Sequence, residues 1–155
     1  MVFDIYIKKI LKPLTLFVSG AFIYGLLEDI GRGFTHISMG VISGSAMLFI
    51  HMINKNVSSV TRVLFHSIIS AYFITGAEFI TGEILNIGLN MKIWDYTDML
   101  FNIDGQICLL FSIIWFMLSF MASYIDILLC RIIFSENKNC LCTDTVNGAA
   151  LFTKK

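Results

Sequence analysis

Glu78 is the residue whose setting most demands a chemical account. It closes a stretch, 63–77, that holds no Asp, Glu, Lys or Arg, and Phe79 and Ile80 carry the apolar run past it before Thr81 and Gly82. A carboxylate at the centre of a bilayer costs roughly 2.5–3.5 kcal/mol on insertion scales, less towards the interface, so something should offset its charge. Arg32 is the first partner to expect and His36 the second donor. With Asp95, Asn102 and Gln106 they outline a polar pocket suited to an ion or substrate. The competing reading is a structural salt bridge that ties the first turn of the chain to the third apolar segment.

Other reactive types are sparse. Cys140 and Cys142 form a Cys-x-Cys pair with no His or further Cys beside it, which reads as free thiols rather than a metal site. They should be reduced on the cytoplasmic side. Cys108 and Cys130 read as apolar fillers, and His51 and His66, near Asp126, as interface histidines rather than a proton relay. The chain contains no Gly-x-x-x-x-Gly-Lys-Ser/Thr phosphate loop, His-Glu-x-x-His, Gly-x-Ser-x-Gly or Cys/His zinc spacing. ATP hydrolysis within the chain is therefore excluded, and no cofactor or metal is expected. An intramembrane enzyme using Glu78 as acid or base lacks a second group at suitable spacing.

The 155 residues that must hold these groups are 57% hydrophobic and only 14% charged, with mean hydropathy +0.80. A soluble domain carries roughly 25% charged residues. Lys+Arg 11 balances Asp+Glu 11, so the basic excess of a nucleic-acid binder is missing. A soluble globular enzyme and a disordered chain are excluded with it. The expectation is an all-α polytopic membrane bundle. Charge-free stretches at 13–27, 33–54, 63–77 and 105–125, set against the roughly 20 residues a span needs, place four transmembrane helices at about 13–31, 36–54, 61–84 and 105–125.

Cytoplasmic loops carry the positive excess. With both termini inside, Lys8, Lys9, Lys12, Lys55, Arg62, Arg131, Lys138, Lys154 and Lys155 lie in the cytoplasm and only Arg32 and Lys92 outside. Residues 1–12 read as an interfacial amphipathic helix with Phe3, Tyr6, Ile7, Ile10 and Leu11 on one face. Pro13 breaks that run and opens the first span. A signal peptide ending near Ser19-Gly20-Ala21 is the weaker reading, because that site falls inside the apolar run. The bundle occupies 13–134, its last turns (Tyr124–Phe134) emerging along the inner interface, and 135–155 is a flexible cytoplasmic tail.

Membrane helices associate through close packing and a few hydrogen bonds. Gly40-x-x-x-Gly44, Ala21-x-x-x-Gly25, Ser67-x-x-x-Ala71-x-x-x-Thr75 and Ser119-x-x-x-Ser123 give each span a small-residue face, and Gly82 is a further packing position. These faces suit contacts within one chain or between copies, so self-association stays open. Trp94 and Tyr96 read as interfacial anchors. Asp104, followed by Gly105, reads as the N-cap of the fourth span.

The run EFITGEILNIGLNMKIWDYTDMLFNIDGQICLLFSIIW, Glu78 to Trp115, resembles the type IV ABC-transporter membrane proteins of the CmpB-like family, whose pattern there is roughly E-F-x-T-G, a spaced Asn, W-D-Y-S, F-N-I-x-G-x-I-C-L, then F and W. Residues 32–39, RGFTHISM, resemble the R-G-Y-T-H-W-S-M turn of a short subgroup. The matching positions are Glu78, Thr81, Gly82, Asn86, Trp94, Asp95, Tyr96, Asn102, Gly105 and Gln106. Thr97 replaces a Ser and Ile37 an aromatic residue. The likeness spans about 14–134, leaving 135–155 without a counterpart. It implies a small bacterial multi-pass protein of the cell membrane, of Gram-positive type, with no established substrate. The function expected is a membrane component of a transport system, with an outward-facing pocket and a separate ATPase as partner besides the lipid bilayer. The alternative is a non-transporting scaffold whose outer polar cluster is structural.

Overall fold

The computed structural model describes residues 2–57 and 59–134, with the side chains of residues 2–9 and 56 outside that description. Four helices account for most of it: α1 (Val2–Arg32), α2 (Ile37–Ile53), α3 (Val60–Gly82) and α4 (Leu109–Ile132). A 3-10 turn (Asn54–Asn56) joins α2 to α3, and a π-helical segment (Glu83–Gly88) extends α3. Among the described residues there is no strand, only an isolated bridge between Ile103 and Ile107.

α1, α4 and α3 with its π-helical extension are long and apolar enough to cross a membrane; α2, at 17 residues, is shorter. Large apolar side chains stand exposed along every helix, among them Phe22, Ile30, Val41, Phe65, Tyr72, Ile113 and Met121. A soluble bundle turns such residues inward, whereas here they form a lipid-facing coat.

Pro13 does not break the chain. α1 runs through it as one 31-residue helix, so no break in the helix separates residues 2–12 from a first span. A proline deletes one backbone hydrogen bond and crowds the preceding turn, and the pairing with α2 farther along holds α1 helical. The apolar face expected on 1–12 falls mostly on side chains outside the description; Ile10 and Leu11, which are described, are exposed. The tail from 135 also lies outside the described residues.

The closest helix pair is α1 with α2. A Cβ on Gly20 would sit 2.6 Å from the Met47 Cβ and 2.8 Å from the Ser43 carbonyl oxygen, and one on Gly44 would sit 2.8 Å from the Phe17 ring. Gly40 makes only an ordinary contact, with Ala21 at 4.0 Å. The expected small-residue faces therefore do meet, and within one chain, although Gly20 rather than Gly25 is the crossing point on α1. The pairs 17 with 44, 21 with 40 and 25 with 35 show the two helices antiparallel. α2 also packs on α3 and α4, and α3 on α4, whereas α1 barely touches α4.

Helix starts are capped by side chains where the sequence offers them. His36 accepts from the Ser38 N–H at α2, and Ser59 accepts from the Arg62 N–H at α3. α4 begins at Leu109 with Cys108 as an N-cap that makes no side-chain bond. Asp104 is not its cap: at φ 49° it lies in the left-handed region, inside a turn closed by the Ile103–Ile107 bridge.

Candidate functional site

At the end of the bundle where α1 and α3 finish and α2 and α4 begin, Glu78 is 1% exposed. Its two oxygens accept separate bonds, from Trp115 Nε1 at 2.8 Å and from Tyr96 Oη at 3.1 Å. The donors come from α4 and from the loop after the π-helical segment, so one carboxylate joins three parts of the chain. Tyr96 stacks on Phe111 with ring centroids 4.6 Å apart, and Trp115 lies against Tyr24 at 5.0 Å. An aromatic box thus keeps water from the carboxylate, which strengthens both bonds.

Arg32 does not pair with Glu78. It lies 3.1 Å from Glu28 on its own helix, one turn back, donates to the Ile93 carbonyl at 3.0 Å and covers the Phe34 ring at 4.6 Å. The Thr35 hydroxyl donates to the other oxygen of Glu28 at 2.6 Å. A partner four residues away on one helix is reached at little entropic cost, and Arg32 is held there, tying the α1–α2 turn to the long loop. His36 is likewise engaged locally, with Nδ1 2.8 Å from the Ser38 hydroxyl.

The loop from 89 to 108 is a folded cap. Asn86, carried inward on the π-helical segment, donates to the Trp94 carbonyl at 3.0 Å and to Gln106 Oε1 at 2.9 Å, and accepts from the Ile93 N–H at 2.7 Å. The Trp94 indole N–H donates to the Gln106 carbonyl, and the Gln106 amide to the Asp104 carbonyl. Asn102 donates to the Thr97 and Met99 carbonyls and accepts from the Gly105 N–H. Asp95 accepts from the Thr97 N–H at 2.9 Å. That backbone bond, with help from the Thr97 hydroxyl and Lys92, holds its carboxyl below the usual carboxylate range. Burial pushes the Tyr96 hydroxyl above its ordinary value, as does the negative charge of Glu78, so at neutral pH it stays a proton donor.

Two glycines make this cap possible. Gly105 has φ +67°, and a Cβ there would lie 2.7 Å from the Thr97 methyl; a Cβ on Gly82 would lie 2.5 Å from Gln106 Oε1. The cap also holds Asn90, Lys92 and Phe101 in the left-handed region, at a cost of about 1–2 kcal/mol for a residue such as Phe. The hydrogen bonds around Asn86 and Asn102 are what stabilise that backbone.

Trp94 and Tyr96 are buried, 5% and 6% exposed, so their rings pack against protein rather than project from its surface. The Trp94 indole finds its partner inside the cap, at Gln106, and the Tyr96 hydroxyl finds its partner on α3, at Glu78. Trp115 also lines a cavity of about 330 Å³ between α1, α2 and α4, with Tyr24, Ser43, Met47, Ile50 and Ser119 around it. Its wall is almost wholly apolar.

The family model described as Putative ABC-transporter type IV matches residues 22–147. The chain belongs to this family. The match starts inside α1 and extends past 134, so part of the tail that resembled nothing in the sequence reading does have a counterpart. No curated protein and no solved structure matches the chain. Membership of this transporter family, with three helices of spanning length, makes the chain a multi-pass membrane protein.

Of the six pocket residues expected, Glu78 and Gln106 are buried within the joint between α3 and the cap, and Arg32 reaches the cap through Ile93. Asp95 and Asn102 shape the exposed turn, and His36 caps α2. They share one end of the bundle without converging on one open space. The sequence alone does not mark Trp115 or Tyr96 as donors to Glu78. A lone indole inside the apolar run of α4 was the available signal, since a buried Trp N–H seeks an acceptor.

Proposed function

We propose that this member of the family is a non-enzymatic membrane subunit of a transport system in the cell membrane, with four spans including α2, both termini cytoplasmic, and a separate ATPase as its energy source. Glu78 is the group through which the outer end of the bundle answers to what is carried. The observation that carries this reading is a carboxylate 1% exposed, within a helix of spanning length, held only by neutral donors among the contacts described. Neutral donors solvate a charge without cancelling it. Such a group responds to a proton or a cation, and intramembrane carboxylates mark ion and substrate pathways. Arg32, His36, Asp95, Asn102 and Gln106 form the rim that an outward-open state would part. The match to an ABC-transporter family supports the separate ATPase.

Glu78→Gln tests it. Glutamine keeps the shape, accepts from Trp115 and lets the Tyr96 hydroxyl turn to accept from its amide, so only charge is lost. Abundance and thermal stability should hold while a growth or uptake phenotype that depends on the protein disappears. A wild-type phenotype would remove Glu78 from the mechanism. The scaffold reading has its own support: Glu78 joins α3 to α4 and to the 89–108 cap, and Asn86 ties the π-helical segment to that cap. Loss of folded protein in Glu78→Gln would favour it.

A further inference from the structure

The opposite end of the bundle holds a second group of chemistry-bearing side chains. His51, on the last turn of α2, places Nδ1 2.6 Å from Asp126 Oδ1 on α4. Cys130, one turn beyond Asp126, has its Sγ 3.6 Å from that oxygen and 3.7 Å from that nitrogen. Asp126 and Cys130 are both 0% exposed. We propose that His51, Asp126 and Cys130 bind a divalent transition-metal ion of the zinc type.

The donor set is the first argument. Thiolate, imidazole and carboxylate are the three ligand types zinc takes from proteins, and three of them with an open fourth position make a usual site. Geometry is the second. With bonds of about 2.3 Å to sulfur and about 2.0 Å to nitrogen or oxygen, the edges of a tetrahedron run to about 3.5 Å where sulfur is one corner. The two sulfur distances already have that length. Only the His51–Asp126 contact must open, by less than 1 Å, as the ion takes the place of the proton between them.

Charge is the third argument. A thiolate and a carboxylate in an apolar bundle carry two negative charges, and a dication with a neutral imidazole cancels both. The thiol proton leaves on binding, and the proton between His51 and Asp126 moves to His51 Nε2, which keeps the imidazole neutral. A His–Asp pair gives the 2.6 Å contact, and Cys130, one helical turn from Asp126, adds a buried third ligand atom at coordination-edge distance from both. The sequence hides the site because His51 lies 75 residues from Asp126, and the Asp126-x-x-x-Cys130 pair alone is not a zinc spacing. The proposal revises the reading of His51 as an interface histidine and Cys130 as a filler, and it does not depend on Glu78 or on transport.

The test uses the full chain in detergent micelles, reduced, stripped of metal, and carrying Cys140→Ser and Cys142→Ser so that the tail thiols cannot bind. Added Co²⁺ should give tetrahedral ligand-field bands and a thiolate-to-cobalt charge-transfer band that saturate at one ion per chain, and Zn²⁺ should abolish them. Cys130→Ser, a small change at a packed position, should remove the charge-transfer band. Asp126→Asn should weaken binding by about tenfold or more, at least the scale seen when a metal site loses a supporting group. The absence of a saturable band in the parent, or a band that persists in Cys130→Ser, overturns the proposal.

Discussion

Trp115→Phe removes one donor from Glu78 and changes little else. The indole N–H lies 2.8 Å from the carboxylate, and the two residues are 3% and 1% exposed, so water does not replace it without opening the site. Hydrogen bonds between neutral groups of neighbouring membrane helices average only about 0.6 kcal/mol, because the unfolded helices find other partners in the membrane. Bonds to a charged group run to about 1.5–3 kcal/mol, and Glu78 would keep just the Tyr96 hydroxyl. Lost indole contact with Tyr24 adds to that. The expected cost is about 2–3 kcal/mol, or roughly 30- to 150-fold in the folding equilibrium at 1.4 kcal/mol per tenfold. Reversible unfolding in mixed micelles of sodium dodecyl sulfate and a mild detergent, followed by helical circular dichroism, measures it. The same substitution in a Glu78→Gln background should cost at least about 1 kcal/mol less, since the acceptor there is uncharged. A cost below about 0.5 kcal/mol, or equal costs in both backgrounds, would refute the assignment of Trp115 as the main support of Glu78.

Gly20→Ala should separate α1 from α2 and cost about 1–3 kcal/mol, because one atom in its way is the Ser43 backbone; Gly31→Ala, where a Cβ meets nothing within 4 Å, is the control and should be neutral or mildly stabilising in the same unfolding assay. Gly82→Ala should displace Gln106 and loosen the 89–108 cap, read as faster proteolysis of that loop with the helices intact. A membrane-impermeant thiol reagent should leave the protein unlabelled in intact cells and label Cys140 and Cys142 after permeabilisation, Cys108 and Cys130 being buried; labelling in intact cells would reverse the proposed orientation.

Helical class and the locus of Glu78 were legible because an acid between long apolar runs has few places to go. The Gly40–Gly44 face was legible for the same reason that it packs: small residues one turn apart leave room for a neighbouring helix. Arg32 pairs with Glu28 rather than the distant Glu78 because a partner one turn away is reached at little entropic cost. Trp115 lies too far along the chain for any local pattern to link it to Glu78. The cap was illegible because its order comes from side chain-to-backbone bonds at Asn86, Asn102 and Gln106, which leave no periodicity. Asp104-Gly105 does look like a helix start, but both residues adopt positive φ and turn the chain instead. A π-helical turn at Glu83–Gly88 has nearly the same sequence pattern as an α-helical one, so the rotation that delivers Asn86 could not be foreseen.

The helices differ in length in a way that matters to the surrounding lipid. At 1.5 Å per residue, the 17 residues of α2 cover about 26 Å, short of a hydrocarbon layer about 30 Å thick, while the 24 residues of α4 exceed it. On the four-span reading, acyl chains beside α2 must shorten and those beside α4 need not, at a cost of fractions of a kcal/mol per Å of mismatch. Such a lopsided collar favours thin bilayers, and it gives neighbouring molecules a reason to gather by their short sides, sharing one dimple rather than each making its own.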